Sequence, residues 1–201
     1  MILNLKYLKN NPFLNNEHLL TKTAFLIGNG ISRKNFDLNR LVPYGTIIGC
    51  NALYREFTPD ILVAVDSSMM NEIVSSGYKG LKCSPLNTVN GFRQLHFSGV
   101  TGSGVLALKI IAFMMKPKVC YMLGMDGYHG NIYDGSKNYP YDKKRDFKKI
   151  TKDYIGPLRQ FTKFINVNEK DAWPSIAHET GNYEVISYTE FEEKLKCLQP
   201  K

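Results

Sequence analysis

The sequence predicts an α/β fold: a single domain with one Rossmann-like, mostly parallel sheet and helices on both faces. Several short runs are apolar at every position, which is typical of strands buried on both faces. Helical patterns lie between these runs, as in a layered sheet with right-handed crossovers. The 201 residues, 43% hydrophobic and 22% charged, are enough for one compact domain. We expect an N-terminal extension over residues 1–22 and the domain over 23–201.

The elements follow from these patterns. We predict strands at Thr23–Ile27, Thr46–Cys50, Ile61–Val65, Phe92–Phe97 and Val119–Leu123. We predict helices at 67–76, Gly104–Met115, Leu158–Asn166 and from Ser187 to about Leu198. Good helix formers favour the second of these, and Pro117 limits its end. Ser187 followed by Glu190 is a capping-box pattern that opens the last helix.

Residues from about 127 to 153 differ from the rest, because glycine, tyrosine and charge replace apolar periodicity. A long stretch without regular structure in a compact domain is usually functional or disordered. Four tyrosines argue against disorder, so we interpret the segment as a Tyr/Lys-rich lid. Its basic run, over 143–152, is either a charged helix face exposed to solvent or a surface for an acidic substrate or nucleic acid.

Composition limits the partners and the cellular location that we expect. The net charge of +8 favours anionic partners without choosing among them. The longest apolar stretch, Ile110–Met115, is far shorter than the roughly 20 residues of a membrane span, and the N-terminus shows no secretory signal pattern. The four cysteines lack metal or redox spacing. Buried free thiols at Cys50 and Cys120 fit a cytoplasmic protein.

The loop Gly28-Asn29-Gly30-Ile31-Ser32-Arg33 directly follows the first strand. Glycines there let the backbone approach a ligand, and backbone N–H groups with the Ser32 hydroxyl can face a phosphate. The loop is neither a GxGxxG nor a Walker motif. The alternative is a tight turn with Asn29 in the left-handed conformation.

Three polar residues follow further strands. Asn51 could read a donor and an acceptor on a base or ribose, or cap the next helix. Asp66 and Asp126 could bind a ribose hydroxyl, hold a metal or act as a base, or only form caps and turns.

The segment Thr101-Gly102-Ser103-Gly104 precedes the apolar helix. Glycines and hydroxyls at a helix N-terminus favour anion binding. The alternative is a simple cap whose glycines allow close packing.

Two segments together carry a resemblance to a known family. IGNGISRKNFDLNRL followed by GTIIGCNALYREF resembles the start of small bacterial sialyltransferases that use a CMP-activated sugar. VTGSGVLALKIIAFMMKPKVCYMLGMDGYHGNIYDG is similar to that family's helix, strand and G-x-D-x-Y turn with a second tyrosine. The resemblance covers roughly residues 23–166. Archaeal pterin pyrophosphokinase-like proteins and uncharacterised phage proteins share the same layout.

The resemblance implies roles for single residues. It implies that the nucleotide is contacted or approached by Gly28, Asn29, Gly30, Asn51, Thr101, Gly102 and Ser103. From their own positions after strands, Ser32 and Asp126 are added to these candidate nucleotide-binding residues. Tyr128 and Tyr133 would donate hydrogen bonds to the leaving phosphate, without a metal, where negative charge develops.

Two positions depart from the family. The family's general base is a histidine after the lid, and Pro157 stands at the matching place. Proline cannot accept a proton, so either the base is Asp153, His129 or Asp66, or the acceptor is a more acidic nucleophile. Asp66 stands where the sialyltransferases have an asparagine, which changes the charge of the site.

These observations lead us to expect a nucleotide-sugar-dependent glycosyltransferase, with a CMP-type donor favoured and no metal or resident cofactor. The acceptor would be a glycan or a hydroxylated DNA base, and a homo-oligomer stays open. One alternative is a magnesium-dependent diphosphotransferase of the pterin type, with Asp66 and Asp126 as metal ligands. Others are an inactive nucleotide-binding module or a plain nucleic-acid binder.

Overall fold

The structure, a computed structural model, describes residues 16–127, 130–140, 147–170 and 173–201. In these ranges eight strands form one sheet. They are β1 Thr23–Ile27, β2 Thr46–Cys50, β3 Ile61–Val63, β4 Leu81–Ser84, β5 Arg93–Gln94, β6 Val119–Leu123, β7 Lys163–Val167 and β8 Tyr183–Ile186. The predicted α/β Rossmann-like fold is thereby confirmed.

The strand order is β5-β4-β3-β2-β1-β6-β7-β8, and all seven pairings are parallel. The chain proceeds outward from β1 to one edge, then returns to the other side of β1 as β6. In open parallel sheets, ligands bind beyond the carboxyl ends of the strands where the order reverses. In this sheet the strand order reverses between the neighbouring strands β1 and β6.

Helices cover both faces. They are α1 Ser67–Ser75, α2 Ser103–Lys109, α3 Phe147–Leu158, α4 Ser175–His178 and α5 Tyr188–Lys196, with 3₁₀ turns at Glu17–Leu19, Ile31–Arg33, Leu38–Leu41 and Asn51–Arg55. Alternate strand residues face opposite sides, so the sheet separates two apolar clusters. One cluster packs on α2, α3 and α4, and the other on α1 and α5.

The predicted helix over Gly104–Met115 is confirmed, with a change of winding along its length. Helix α2 continues as a π-helix over Ile110–Met115, and the chain leaves it through Lys116 at φ 53°. Pro117 then prevents further helix, since it lacks an N–H. Ser187 and Glu190 form both hydrogen bonds of the predicted capping box.

Three expectations were wrong. The stretch Leu158–Asn166 is no helix, because α3 ends at Leu158 and the buried run KFINV forms β7. Residues 147–153 of the expected lid belong to α3. The expected strand Phe92–Phe97 shrinks to the two residues of β5.

The expected extension also contributes to the domain. Leu19 is buried in the core, and its carbonyl accepts a hydrogen bond from Thr46 Oγ1 at 3.0 Å. Among the described residues, no helix combines the length and apolar character needed to cross a bilayer.

Candidate functional site

The loops after β1 and β6 meet at the point where the strand order reverses. The Gly28 N–H donates to the Leu123 carbonyl at 2.8 Å, and the Gly30 N–H donates to Gly124 at 2.9 Å. A Cβ on Gly28 would lie 2.3 Å from the Gly124 oxygen. Close packing of the two loops therefore requires glycine at position 28, independently of any ligand.

Asp126 occupies the space beside Gly30 and binds the same loop. Its buried carboxylate accepts from the Ser32 N–H at 3.0 Å and from the Ser32 hydroxyl. A Cβ on Gly30 would come within 2.4 Å of that carboxylate. The expectation that Gly30 and Ser32 face a phosphate is thus not met here, because Asp126 takes the place of the anion.

A small cluster at the carboxyl ends of β1 and β2 joins distant parts of the chain. Asn29 Nδ2 donates to the Tyr139 hydroxyl at 3.0 Å, and the side chain of Asn51 lies close enough to affect the pKa of that hydroxyl. We call Asn29, Asn51 and Tyr139 the Asn–Tyr cluster. Burial raises the pKa of Tyr139 to about 12, against the opposing effect of the nearby Asn51 side chain, so its hydroxyl is neutral at pH 7.

The cluster contains two buried acceptors that nothing in the described part of the chain satisfies. They are Asn29 Oδ1 and Asn51 Oδ1. Leaving a buried polar atom unpaired costs about 1–3 kcal/mol, so such atoms call for a reason. A ligand that brings hydrogen-bond donors would satisfy both oxygens.

The backbone sets the direction of these amides. Asn51 has φ 52°, in the left-handed region, while Asn29 is not among the described residues with positive φ, contrary to the tight-turn alternative. Asn51 does not cap the next turn either, because Cys50 takes the cap position and no side-chain cap bond forms. Asparagine tolerates the left-handed conformation better than most residues.

The Thr101–Ser103 segment reaches the same neighbourhood. Burial raises the pKa of the Cys50 thiol to about 12, and Ser103 lies close enough to act against that effect. Thr101 Oγ1 donates to Asp153 Oδ2 at 2.7 Å. Gly102 occupies the cap position of α2 without a side-chain cap bond. Asp153, on α3, therefore stands beside this segment.

Tyr133 lies beside the Asn–Tyr cluster and is held by Glu56 and Arg33. Its hydroxyl donates to Glu56 Oε1 at 2.5 Å and accepts from buried Arg33 at 3.2 Å. Arg33 Nε also donates to the Gly28 carbonyl at 2.5 Å. The Tyr133 ring lies 5.8 Å from that of Tyr139. With its hydroxyl bound to Glu56, Tyr133 could donate to a phosphate only after leaving that partner.

An ionic network holds the loop that carries both tyrosines. Arg55 donates to Glu72 at 2.5 Å, to Ser136 Oγ at 2.7 Å and to the Lys137 carbonyl at 2.7 Å. Burial acts to raise the pKa of Glu72, but hydrogen bonds from Tyr54, Arg55 and Asn138 outweigh it and lower the pKa. The network thus fixes residues 136–138, next to Tyr139.

Three predicted residues stay apart from the cluster or outside the description. Asp66 lies three residues after β3. It is exposed and occupies the cap position of α1 without a side-chain cap bond. Tyr128 and His129 lie outside the described residues, as do the side chains of the basic run over 143–152. Within the described ranges, no group of three or more His, Cys, Asp or Glu residues could hold a metal ion.

Sequence reasoning missed four residues of this neighbourhood, namely Tyr139, Arg33, Arg55 and Glu56. Tyr139 belongs to the tyrosine-rich segment from 127 to 153, and that enrichment was the available signal. The partners of Arg33 and Arg55 lie up to 100 residues away in sequence, so no local pattern reveals them.

Comparison with known proteins adds little. No family model matches the chain, and no curated protein matches it significantly. A crystal structure of a protein from Lactobacillus plantarum, from the Northeast Structural Genomics Consortium, matches with a TM-score of 0.31 and 17% identity. That match covers 55% of this chain and 46% of the other. The fold and the site define an α/β Rossmann-like protein.

Proposed function

We propose that the protein is a nucleotide-sugar-dependent glycosyltransferase, with a CMP-type donor favoured, whose nucleotide binds at the Asn–Tyr cluster. The observation that carries the proposal is the pair of buried, unpaired amide oxygens on Asn29 and Asn51. Acceptors of this kind recognise donors, and a nucleoside offers its ribose hydroxyls and, in cytosine, an exocyclic amine.

The position of the cluster supports the same proposal. Asn29 and Asn51 follow the adjacent parallel strands β1 and β2, next to the point where ligands bind in open α/β sheets. Ser103 approaches from the helix side through Cys50. A nucleotide bound there would contact residues from both halves of the chain, in agreement with the roles that the family resemblance implies.

Asp153 is the base that we propose for the acceptor hydroxyl. Of the three candidates, Asp153 contacts the Thr101–Ser103 segment through Thr101, whereas Asp66 is exposed at the cap position of α1. A carboxylate that takes the hydroxyl proton as the sugar bond forms contributes typically 10²–10⁴-fold to the rate. The acceptor is a glycan or a hydroxylated DNA base.

The test is release of CMP from CMP-activated sugars, combined with nucleotide binding. At a ligand concentration 100 times Kd, CDP would stabilise the fold by about 2.7 kcal/mol, which raises Tm by about 5–10 °C in a chain of this size. The proposal predicts that EDTA leaves this shift unchanged. Binding of ATP that EDTA abolishes would instead support the magnesium-dependent diphosphotransferase, with Asp66 and Asp126 as candidate ligands.

A second candidate function rests on Pro157. It stands within α3 where the similar family has its basic histidine, so an inactive nucleotide-binding module is the alternative. Such a module would show the thermal shift with CDP but release no CMP. Release that Asp153→Asn abolishes would exclude it.

A further inference from the structure

A concave surface site lies at the amino ends of two strands near one edge of the sheet. A pocket of about 520 Å³ opens beside the amino ends of β4 and β5, whereas the Asn–Tyr cluster follows the carboxyl ends of β1 and β2. Its volume falls within the range of small-ligand sites. We call it the basic pocket and define it by Lys79, Lys82, Phe92 and Arg93.

The charge of the basic pocket is entirely positive, since none of the described residues that line it is acidic. Lys82 Nζ donates to the carbonyls of Tyr78 at 3.1 Å and Gly80 at 3.2 Å. These bonds use two of the three N–H groups of the ammonium, which also lies 5.5 Å from the centre of the Tyr78 ring. Lys79 and Arg93 are exposed, so their charges are accessible.

The local environment of Lys82 disfavours its positive charge. Burial and then the nearby Lys79 charge lower the pKa of Lys82. An anion placed between these lysines would raise that pKa and so offset both effects. Together with the exposed cations of Lys79 and Arg93, this environment favours a negatively charged ligand.

An aromatic surface accompanies the cations. Phe92 is half-buried, with part of its ring against the core and part lining the pocket. Beside it, Gly91 has φ 91°, and a Cβ there would meet nothing closer than 3.8 Å. Cations that track a backbone, together with a ring on which a base stacks, are the features of single-strand nucleic-acid sites.

We propose that the basic pocket binds single-stranded nucleic acid, with the three cations on phosphates and Phe92 stacked on an unpaired base. A strand suits the site better than a duplex, because stacking requires an unpaired base. It suits the site better than a free nucleotide, because exposed Lys79 and Arg93 can contact successive phosphates. The net charge of +8 favours the same partner. The proposal does not depend on glycosyl transfer.

The experiment measures fluorescence anisotropy of a labelled oligothymidylate with the full chain, over a series of salt concentrations. For single strands the salt slope is about −0.7 per phosphate contact. Lys79→Gln with Arg93→Gln should weaken binding and reduce the magnitude of the slope by about 1.4. Phe92→Leu should weaken binding about tenfold and leave the slope unchanged.

The controls separate the pocket from general charge and from the Asn–Tyr cluster. Lys196→Gln, exposed on α5 beside Glu193, removes one charge elsewhere and should change the affinity little. Asn29→Ala should bind the oligonucleotide normally. Thermal melts check that each variant folds. If Phe92→Leu does not fold, the charge variants alone test whether the basic pocket binds the oligonucleotide.

Three results would overturn the proposal. The first is a lack of salt-dependent binding. The second is a loss of oligonucleotide affinity per removed charge that is as large in Lys196→Gln as in the pocket variants. The third is competition by thymidine monophosphate as strong as that by the oligonucleotide. The last result would assign the pocket to a free nucleotide.

Discussion

Removing the Tyr139 hydroxyl tests the arrangement of the Asn–Tyr cluster. The change Tyr139→Phe keeps the ring, which is 6% exposed and packs against Tyr133. It removes the oxygen that accepts from Asn29 Nδ2 and lies near the side chain of Asn51. We expect opposite effects on stability and on ligand affinity.

The size of both effects follows from the contacts. A lost hydrogen bond costs about 0.5–1.5 kcal/mol, and a buried amide left without a partner costs about 1–3 kcal/mol. A loss of about 1–3 kcal/mol lowers Tm by about 2–12 °C in a chain of this size. Because both unpaired amide oxygens are buried, we expect a nucleotide to reach them only by displacing the neighbouring Tyr139 hydroxyl. Tyr139→Phe should therefore bind CDP about fivefold more tightly.

The assay pairs thermal unfolding with calorimetric titration of CDP. Tyr183→Phe is the matched control, because Asn166 Nδ2 donates to the buried Tyr183 hydroxyl at 3.1 Å, away from the cluster. It should lower Tm to a similar extent and leave the CDP affinity unchanged.

The outcome distinguishes two arrangements. Weaker CDP binding in Tyr139→Phe alone would mean that the hydroxyl contacts the ligand, and displacement would be refuted. An unchanged Tm would mean that the hydroxyl does not hold the two asparagines.

Three further predictions concern stability and catalysis. Glu72→Gln should lower Tm at pH 7. Because the folded pKa of Glu72 is lowered, the Tm difference between wild type and variant has its full size above the ordinary pKa of about 4.3, and it disappears as pH falls through the folded pKa. Gly28→Ala should lower Tm, because its Cβ would meet a backbone oxygen at 2.3 Å, while Gly156→Ala, with nothing within 4 Å, should raise it slightly in the same melts. Asp153→Asn should reduce CMP release about 10²–10⁴-fold with unchanged CDP affinity, and retained release would exclude Asp153 as the base.

Strong local patterns account for what could be predicted of the fold. Apolar runs at β1, β2, β3 and β6 and the capping box at Ser187 were identifiable from their own residues. Strand β4 was missed because half of its four residues are polar, and β8 because it is only four residues long and contains Glu184. Pairing with buried neighbours makes both of them strands. The run that forms β7 was assigned to a helix for a related reason: a short apolar run fits either structure until its neighbours are known.

In the candidate site, too, local patterns could be predicted and contacts between distant residues could not. Asn29 and Asn51 were identifiable because each follows a buried strand next to glycine or cysteine. Tyr139 was not, because its role depends on contact with residues about 90 to 110 positions earlier. The glycines of the first loop were assigned to ligand approach, yet Gly124 and Asp126 fill the space beside them. Sequence cannot distinguish a glycine that admits a ligand from one that admits another loop.

Calorimetric titration of CDP in EDTA, on the wild type, Asn29→Ala and Asn51→Gly, tests the central claim most directly. Glycine suits position 51 because it adopts the φ of 52° there without strain. We predict that the wild type binds CDP and that each substitution weakens binding at least about tenfold, the loss of one hydrogen bond to a buried group. Equal affinity in all three proteins, or no binding to the wild type, would contradict a nucleotide site at these two asparagines.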